Sequence, residues 1–554
     1  MTPGEASIRA NFTRFETVVG MAEAFHRASD HRSAAACAQV AAACAWRNHG
    51  GLFASPRLER LLTEIGCTAV ATGPGSGRGR FAPPRRVLHV LTKARPMGGD
   101  SRFPCRWMDV DRERRHSVAV TSQEGAAVPE VFIEATSRTG GKVHCLDADT
   151  SDPLVRAARL RALAQNADLV ALHIYPDDVI PSLAFADGGV VAPVLFVNHS
   201  DHTFWLGVKA SDMVVQLRDS SVALSINRRG VDSKRLVTLP IPLPPVERTR
   251  TPAEAKAELG IAADAVVLLS VGTGFKYTPV DGPGFLETLL PVVRRHENVV
   301  LLVVGPKPSG EWARAAEATG GRVRALGHQL ESAVAVLFEA ADIYLDSFPF
   351  TSPTAMLEAG SYGLPLVAYS PHKGDAEVLS PGAPGLDVSI CRNRDPEAYA
   401  YTVSRLIVQP AYRRELGDRA RQAIDDNHRG RPWTARLADL YTTAVASAAR
   451  EAVADAEDTC VPDDVDVFVS RIYGIDEQAL GELIDRHVRG LPWLRRIAVL
   501  RKMLAVNQAF SFDLFLPTWL ASRASWRPPF WPALRRALSR RGACSPPATS
   551  CVSA

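Results

Sequence analysis

The sequence predicts an α/β protein with two doubly wound domains that face each other across a cleft. The chain has 554 residues, which is too long for a single hydrophobic core. Two series of short apolar runs alternate with helical stretches, a pattern typical of parallel sheets with both faces covered. The segment LPIPLPP (239–245) separates the two series and is stiff enough to connect two lobes.

Composition narrows the class of protein further. Hydrophobic residues make up 46% and charged residues 22% of the chain, as in ordinary globular proteins. The net charge of +4 is too small to favour nucleic acid as a partner. Nine scattered cysteines without a C-x-x-C pair favour a reducing compartment. No signal peptide and no run of ~18 apolar residues is evident, so we expect a cytoplasmic protein.

The N-terminal half is expected to contain three segments. Residues 1–70 predict a helical cap, because apolar residues between 58 and 65 recur with the spacing of one helix face. Residues 71–84 are dense in Gly and Pro and predict a linker. Residues 85–245 predict the first doubly wound domain, with strands at 87–91, 117–120, 142–146, 169–173, 194–198 and 213–216.

The C-terminal half is expected to begin with the second doubly wound domain, over residues 246–447. Its strands are predicted at 266–271, 299–304, 322–326, 343–346 and 366–369. Residues 448–525 predict a helical extension, and 526–554 a basic, aromatic segment followed by a disordered tail. The basic, aromatic segment has two interpretations: docking on the protein's own core, or peripheral contact with the inner face of an anionic membrane.

A candidate phosphate site follows the first strand of the second domain. In VLLSVGTGFKYTP (267–279), a buried strand ends in the sequence G-T-G, which contains Gly272 and Gly274, and Lys276 follows. Small residues let backbone N–H groups approach an anion, and the lysine adds a positive charge. One alternative is a plain turn with a solvated lysine. Another is the cofactor loop of a methyltransferase, but the next strand ends in V-G-P (304–306), without the acidic residue that such a site needs.

A second candidate site lies in ADIYLDSFPFTSPTAMLEAGSYGLPLVAY (341–369). Thr351, Ser352 and Thr354 surround the predicted start of a helix, whose free N–H groups add donors for a diphosphate. Glu358 lies about one turn into the helix, where its carboxylate could accept from ribose hydroxyls. The structural alternatives are a simple helix cap and a solvated surface acid.

These two segments resemble glycosyltransferases of the GT-B fold. D-I-Y-L-D-S-F-P-F-T-S-P-T-A-M-L-E-A-G is similar to the donor-site segment of protein O-GlcNAc transferases and, more loosely, of the large retaining families. G-T-G-F-K-Y-T-P resembles the phosphate-lysine segment of the former. The resemblance implies two Rossmann-like domains and a nucleotide diphosphate sugar as donor, with no other cofactor and no bound metal.

The resemblance also implies roles for individual residues. Lys276 would contact the diphosphate, the hydroxylated residues 351–354 its oxygens, and Glu358 or its neighbours the nucleoside. Retaining families commonly carry a second glutamate eight positions earlier, but Phe350 stands there. This departure favours inversion of the transferred sugar.

The first domain is expected to supply the catalytic groups. Gly98 and Gly99 resemble the glycine pair that faces the donor phosphate in this fold, with a plain turn as the alternative. His173 and His202 follow predicted strands, where open α/β sheets bind ligands, and Asp201 could orient such a base. A structural role for each histidine is the alternative. The H-x-x-H spacing at 199–202 lacks a third metal ligand, so we expect no metal.

The leading hypothesis is therefore a hexosyl- or N-acetylhexosaminyl-transferase that moves a sugar from a nucleotide diphosphate sugar to a hydroxyl. The alternatives are a nucleotide-sugar epimerase of the same fold and a non-catalytic scaffold with a degenerate transferase core. The sequence leaves the acceptor open among proteins, glycans, lipids and natural products.

Overall fold

The computed structural model describes residues 3–70, 83–96, 98–187, 192–280, 282–387, 389–447, 457–473 and 480–505, with Leu514 and Leu516. The predicted linker, apart from residues 83 and 84, and the predicted segment 526–554 lie outside these residues. Within the described part of the chain, no helix is both long and apolar enough to cross a membrane.

Two parallel sheets form the two lobes that the sequence predicts. The first sheet contains β1 (Arg86–Leu91), β2 (Arg115–Val120), β3 (Val143–Cys145), β4 (Leu169–His173), β5 (Val194–Asn198), β6 (Met213–Gln216) and β7 (Leu236–Thr238). The second sheet contains β8 (Val266–Val271), β9 (Val299–Val304), β10 (Val323–Ala325), β11 (Ile343–Leu345), β12 (Leu366–Tyr369) and β13 (Ile390–Asn393). The strand orders are β3-β2-β1-β4-β5-β6-β7 and β10-β9-β8-β11-β12-β13. Each order reverses next to its first strand, the position where doubly wound sheets bind ligands.

Nineteen helices surround these sheets in the described residues. The first lobe and the N-terminal segment contain α1 (Pro3–Arg27), α2 (His31–Arg47), α3 (Pro56–Ala69), α4 (Gly99–Val110), α5 (Glu130–Arg138), α6 (Pro153–Ala164), α7 (Val179–Ala184) and α8 (Val222–Asn227). The following residues contain α9 (Pro252–Glu258), α10 (Phe285–Arg295), α11 (Glu311–Ala318), α12 (Glu331–Ala340), α13 (Pro353–Ser361), α14 (Pro396–Val408), α15 (Pro410–His428) and α16 (Gly430–Ala446). The C-terminal segment contains α17 (Asp464–Tyr473), α18 (Leu480–Val488) and α19 (Trp493–Ala505).

Several helices begin where side chains can cap free N–H groups. Ser55 accepts from the amide of Leu58 at the start of α3. Thr251 and Glu254 form a capping box at the start of α9. Such caps satisfy amide donors that have no partner within the helix.

The structure corrects the predicted packing boundaries at residues 70 and 447. Helices α1–α3, α18 and α19 share one continuous core with one face of the first sheet, so the terminal helices are part of the first lobe. Helix α16, assigned from sequence to the second domain, packs on the opposite face of the first sheet through Trp433, Leu437 and Tyr441. The chain therefore crosses between the lobes twice, at 239–245 and again near 429.

The two crossings contact each other directly. The indole of Trp433 donates to the carbonyl of Pro240 at 2.7 Å, and the amide of Leu243 donates to the carbonyl of His428 at 2.9 Å. The Nδ1 of His428 lies 2.9 Å from the carbonyl of Ile241. Proline has no backbone N–H, so the prolines of the connector cannot donate to its carbonyls. Side chains from residues 428–433 bind these carbonyls instead.

Two short strands, β7 and β13, are absent from the sequence-based prediction. Strand β7 has three residues, all partly exposed, and β13 has only two buried residues of four. Edge strands of this kind lack the continuous apolar run by which the inner strands are recognised.

We predict that Trp433→Ala destabilises the protein although it lies far along the chain from the first sheet. Trp433 is fully buried in the core of the first lobe and also bonds the connector. Truncating a buried tryptophan typically costs about 3–5 kcal/mol. Urea unfolding followed by circular dichroism measures the change, and Arg431→Ala, at an exposed position of the same helix, should stay within about 0.5 kcal/mol of wild type. Equal stability of both variants would contradict the placement of α16.

Candidate functional site

A cavity of about 700 Å³ lies between the two lobes. Its walls combine the loop before α4 with the ends of β8 and β9 and the start of α13. Most of the predicted donor residues meet there, although they are far apart in sequence: Gly98, Gly99, Gly272, Gly274, Lys276, Ser352, Thr354 and Glu358. We call this space the donor cavity.

Glycines bring backbone to the surface of the donor cavity. A Cβ at Gly305 would lie 1.7 Å from the carbonyl oxygen of Gly272, and one at Gly272 would lie 2.6 Å from the Oγ of Ser352. Gly305 also has a φ of 117°, which side chains disfavour. Gly272 follows β8 and Gly305 follows β9, and both positions are too crowded for a side chain. The peptide groups at these strand ends are therefore exposed to a ligand.

A buried carboxylate, that of Asp346, shapes the loop before α13. It accepts from the amides of Ser347 and Ser352 at 3.0 and 2.9 Å and from the Oγ1 of Thr351 at 2.5 Å. The hydroxyl of Thr351 is thereby turned away from the donor cavity, which corrects its predicted role as a phosphate donor. Ser352 and Thr354 do line the cavity at the start of α13. The Ser352 side chain makes no cap bond to that helix, so its first N–H groups remain available to an anion.

Lys276 lies at the base of the donor cavity. Its Nζ donates to the carbonyl of Thr351 at 2.7 Å and lies 5.0 Å from the ring centroid of Phe350. Burial lowers the pKa of Lys276 to about 8, with Asp346 and Asp201 acting against this shift. The ammonium group is therefore charged at neutral pH but loses its proton more easily than an ordinary lysine.

Glu358 bridges the two lobes. Its Oε1 accepts from the guanidinium groups of Arg102 at 3.1 Å and of Arg106 at 2.9 Å, both on α4 of the first lobe. All three side chains line the donor cavity. The carboxylate is thus placed to accept from a ligand hydroxyl, but it shares its oxygen with two arginines.

An aspartate–histidine pair faces the second lobe. The Nδ1 of His202 lies 3.2 Å from an oxygen of Asp201, and the imidazole packs edge-on against Phe350 at 4.7 Å between ring centroids. Arg218 binds both oxygens of Asp201, at 2.6 and 2.8 Å. Burial lowers the pKa of His202 while the bond to Asp201 opposes this change. In the tautomer that donates Nδ1–H to Asp201, a neutral His202 carries its lone pair on Nε2.

The comparisons with known proteins agree with this arrangement. Residues 257–409, which include Lys276 and Glu358, match the family model of group 1 glycosyl transferases. The chain is a glycosyltransferase. It is 28% identical over 342 residues to a protein of Kineococcus radiotolerans named D-inositol 3-phosphate glycosyltransferase, covering 57% of this chain and 72% of that protein. The glycosyltransferase resemblance inferred from sequence is therefore confirmed.

Two solved structures align with the chain at low sequence identity. A mutant O-GlcNAc transferase of Thermobaculum terrenum aligns with a TM-score of 0.49 and 15% identity, covering 77% of this chain and 82% of its own. The HepE protein of Anabaena, solved in complex with UDP, aligns with a TM-score of 0.49 and 15% identity, covering 65% and 100% of the two chains.

The transferase does not present His173 to the cleft. Its imidazole is 2% exposed, and its two ring nitrogens lie 3.1 Å from His89 and 3.0 Å from His199. Burial lowers the pKa of His173 well below its usual value. The prediction of His173 as a base that meets the acceptor is therefore wrong on geometric grounds, whereas His202 and Asp201 remain candidates.

His173 belongs to a row of four histidines across the first sheet. His116 on β2, His89 on β1, His173 on β4 and His199 after β5 are joined by contacts of 3.0, 3.1 and 3.0 Å. Burial lowers the pKa of His89 well below its usual value and that of His199 to about 4. A neutral imidazole donates through one nitrogen and accepts through the other, so the three bonds must run in one direction along the row.

Sequence reasoning missed several cavity residues, among them Arg102, Arg106 and Gly305, and it missed Arg218, which links the lobes. Arg102 and Arg106 carry a weak signal, since they lie four residues apart just after the predicted glycine pair. Gly305 follows a predicted strand and could have been recognised as a close-approach glycine. Arg218 gives no local signal, because its partner Asp201 is distant in sequence.

The metal-free expectation remains a prediction. Among the described residues, no group of three or more His, Cys, Asp or Glu side chains is arranged to hold a metal ion.

We predict that His89 and His173 stay neutral between pH 8 and pH 5, because burial without a charged partner disfavours the imidazolium. Nuclear magnetic resonance of ring-labelled histidines measures this, with His173→Asn used to assign its resonance. Free histidine in the same sample titrates near pH 6.5 and serves as reference. Titration of either buried ring with a midpoint near 6.5 would contradict the buried row.

Proposed function

We propose that the donor cavity holds a nucleoside diphosphate sugar and that His202 deprotonates an acceptor hydroxyl. The observation that carries this proposal is the convergence of Lys276, the start of α13 and His202 around Phe350, where the two lobes meet. The cationic Lys276 and the helix start contribute positive charge on one side of Phe350. The imidazole of His202, proposed as the neutral base, lies on the other side.

The diphosphate is expected at the start of α13. The free N–H groups of this helix, the hydroxyl of Thr354 and the ammonium of Lys276 surround one end of the cavity. These groups carry positive charge or donate hydrogen bonds without bringing a carboxylate to the surface, because Asp346 is buried behind Ser352. They would stabilise the charge that develops on the leaving diphosphate.

The nucleoside is expected toward Glu358. A carboxylate can accept from both hydroxyls of a ribose. Glu358 lies on α13 one turn beyond Thr354, which is expected to bind the diphosphate. Binding would redistribute its bonds with Arg102 and Arg106. These arginines then remain near the diphosphate as further positive charges.

The chemical step is a single displacement at the anomeric carbon. As the acceptor oxygen forms its bond to that carbon, His202 Nε2 takes the hydroxyl proton and the bond to the diphosphate breaks, leaving its electron pair on the phosphate oxygen. Asp201 stabilises the imidazolium that forms, and Arg218 fixes Asp201. The sugar is transferred with inversion in this scheme.

We further propose that the transferase works in the cytoplasm. The seven cysteines within the described residues are all free, which suits a reducing compartment. For the basic, aromatic part of segment 526–554, peripheral contact with the inner face of a membrane is proposed beside docking on the protein's own core.

We predict that one nucleoside diphosphate stabilises the protein and that Lys276→Ala abolishes the effect. A ligand at ~100 times its dissociation constant adds about 2.7 kcal/mol to stability. A thermal-shift screen with UDP, GDP, dTDP and ADP measures this, with Lys373→Ala, at an exposed position of the same lobe, as control. Wild-type-like stabilisation of Lys276→Ala would remove Lys276 from the site.

The same screen has a defined pH dependence. The pKa of Lys276 is about 8 in the free protein, so diphosphate affinity should fall as pH rises through 8 and the ammonium loses its charge. Lys276→Arg should flatten this fall, because a guanidinium stays charged.

We predict that His202→Asn lowers kcat about 100- to 10,000-fold while the nucleoside diphosphate still stabilises the protein. The loss follows from removing the proton acceptor without changing the diphosphate groups. Release of nucleoside diphosphate in the presence of acceptor measures kcat, and nuclear magnetic resonance of the product shows the anomeric configuration. An unchanged kcat would exclude His202 as the base, and retention would exclude the single displacement.

A further inference from the structure

Helix α17 belongs to the C-terminal segment, yet it lies against both lobes. In the first lobe it contacts α1, and in the second lobe it contacts the helical turn Gly374–Leu379, which follows β12. The sequence-based prediction placed α17 in a helical extension without a position or a role. The helix therefore bridges the lobes through residues other than those of the two chain crossings.

Buried charges fix α17 to the first lobe. The carboxylate of Asp466 is fully buried and lies 2.8 Å from the Nε2 of His49, which follows α2. The guanidinium of Arg228, which follows α8, donates to the two oxygens of Asp466 at 3.1 and 2.9 Å and to Asp463 at 2.7 Å. Burial raises the pKa of Asp466, but the bond to His49 and the charge of Arg228 hold it below its usual value. Separating α17 from the first lobe would leave buried charges without partners, which is strongly unfavourable.

Apolar side chains of α17 pack on the second lobe. The ring of Phe468 lies edge-on against the imidazole of His372, with 4.6 Å between the ring centroids. Phe468 also packs against a buried apolar cluster that has members from both lobes and from α17: Phe53, Leu224, Phe350, Val378, Leu379, Val465 and Val469. The second-lobe segment 372–379 is therefore held against α17 by apolar contact.

His372 connects this contact to the loop before α13. Burial lowers the pKa of His372, and its hydrogen bond to the backbone of Pro349 acts against this change. Proline has no backbone N–H, so the imidazole donates this bond to the carbonyl. Pro349 directly precedes Phe350, whose ring contacts both Lys276 and His202. A chain of contacts thus leads from α17 to the centre of the candidate site.

The position of this loop determines where Lys276 lies. The Nζ of Lys276 donates to the carbonyl of Thr351 at 2.7 Å, and the amide of Phe350 donates to the carbonyl of Lys276 at 3.5 Å. Displacement of the loop would therefore displace the lysine and withdraw the Phe350 ring from His202. Transfer needs the base and the phosphate groups in a fixed relation, and a misplacement of ~1 Å can cost about 100-fold in rate.

We propose that α17 fixes the relative position of the two lobes, and that Phe468 is a positioning residue that holds the loop of Phe350 through His372. The effect on catalysis rests on the proposed sugar transfer, whereas the effect on the loop is independent of any reaction. The proposal gives this C-terminal helix a part in aligning the site.

Hydrogen exchange of the full-length protein, followed by mass spectrometry, tests the effect on the loop. The amides of Ser347, Phe350 and Ser352 are hydrogen bonded, so their exchange reports whether the loop keeps its position. Phe468→Ala should raise exchange in residues 346–353, because the loop loses its support from α17. Exchange in β1 and β4 of the first lobe should stay as in wild type.

Steady-state transfer measures the effect on the site. Phe468→Ala should lower kcat about tenfold at a temperature well below its melting midpoint, because the base and the phosphate groups lose their alignment. Phe468→Leu keeps an apolar side chain at this position and should retain most of the wild-type kcat. Asp464→Asn, at an exposed position of the same helix, should change neither the exchange nor kcat.

A double-mutant cycle with His372→Ala separates a positioning role from general destabilisation. If Phe468 acts through His372, the variant that carries both alanines should lose no more kcat than the more impaired single variant. Losses that multiply would show independent effects and overturn the proposed route. His372→Ala interrupts the same route from the second lobe, and it replaces Phe468→Ala in both measurements if that variant does not fold.

The outcomes separate this proposal from the proposed function. Unchanged exchange in residues 346–353 of Phe468→Ala would overturn the proposal whether or not the protein transfers sugar. Raised exchange together with a wild-type kcat would overturn the positioning role. Raised exchange in a protein that neither binds a nucleoside diphosphate nor transfers sugar would contradict the proposed function and keep the role of α17 in holding the loop. A thermal-shift profile of each variant checks that it is folded at the assay temperature.

Discussion

The guanidinium of Arg218 connects the candidate base of the first lobe to the backbone of the second. It binds both oxygens of Asp201 and also donates to the carbonyls of Val378 and Ser380, at 2.6 and 2.9 Å. All of these groups are buried, so the loss of one partner would leave a charge or a carbonyl unsatisfied, at a cost of several kcal/mol. The orientation of His202 and the distance between the lobes therefore depend on the same side chain. This coupling places the candidate base at the interface between the two lobes.

The first lobe is built around polar groups that a sheet interior rarely holds. Four histidines lie in a row on neighbouring strands, and at one end the Nε2 of His116 contacts the carbonyl of Asp111 at 2.8 Å. The other end, His199, stands three residues before His202. Each interior ring is hydrogen bonded to the ring on either side. The buried ring nitrogens therefore keep their partners only while the row stays intact. The row thereby fixes the relative positions of the strand ends, among them the end of β5, which Asp201 and His202 follow.

Sequence periodicity predicted the long inner strands well, because a strand covered on both faces is a continuous apolar run. It failed for β7 and β13, which are short and half-exposed, and for α16, whose apolar face gives no indication of which lobe it will join. The site shows the same division. Glycines, Lys276 and the start of α13 were recognisable because their chemistry is local, whereas the turn of Thr351 toward Asp346 depends on loop conformation.

The sequence by itself determined the α/β class, the two lobes, the transferase resemblance and most of the predicted residues that line the donor cavity. These features follow from hydrophobic period and from small residues at strand ends, both of which are written along the chain. Tertiary structure alone decided that His173 is buried, that Glu358 contacts arginines of the other lobe, and that α17 contacts both lobes. Each of these depends on groups more than 80 residues apart in sequence, and no local pattern encodes such a distance.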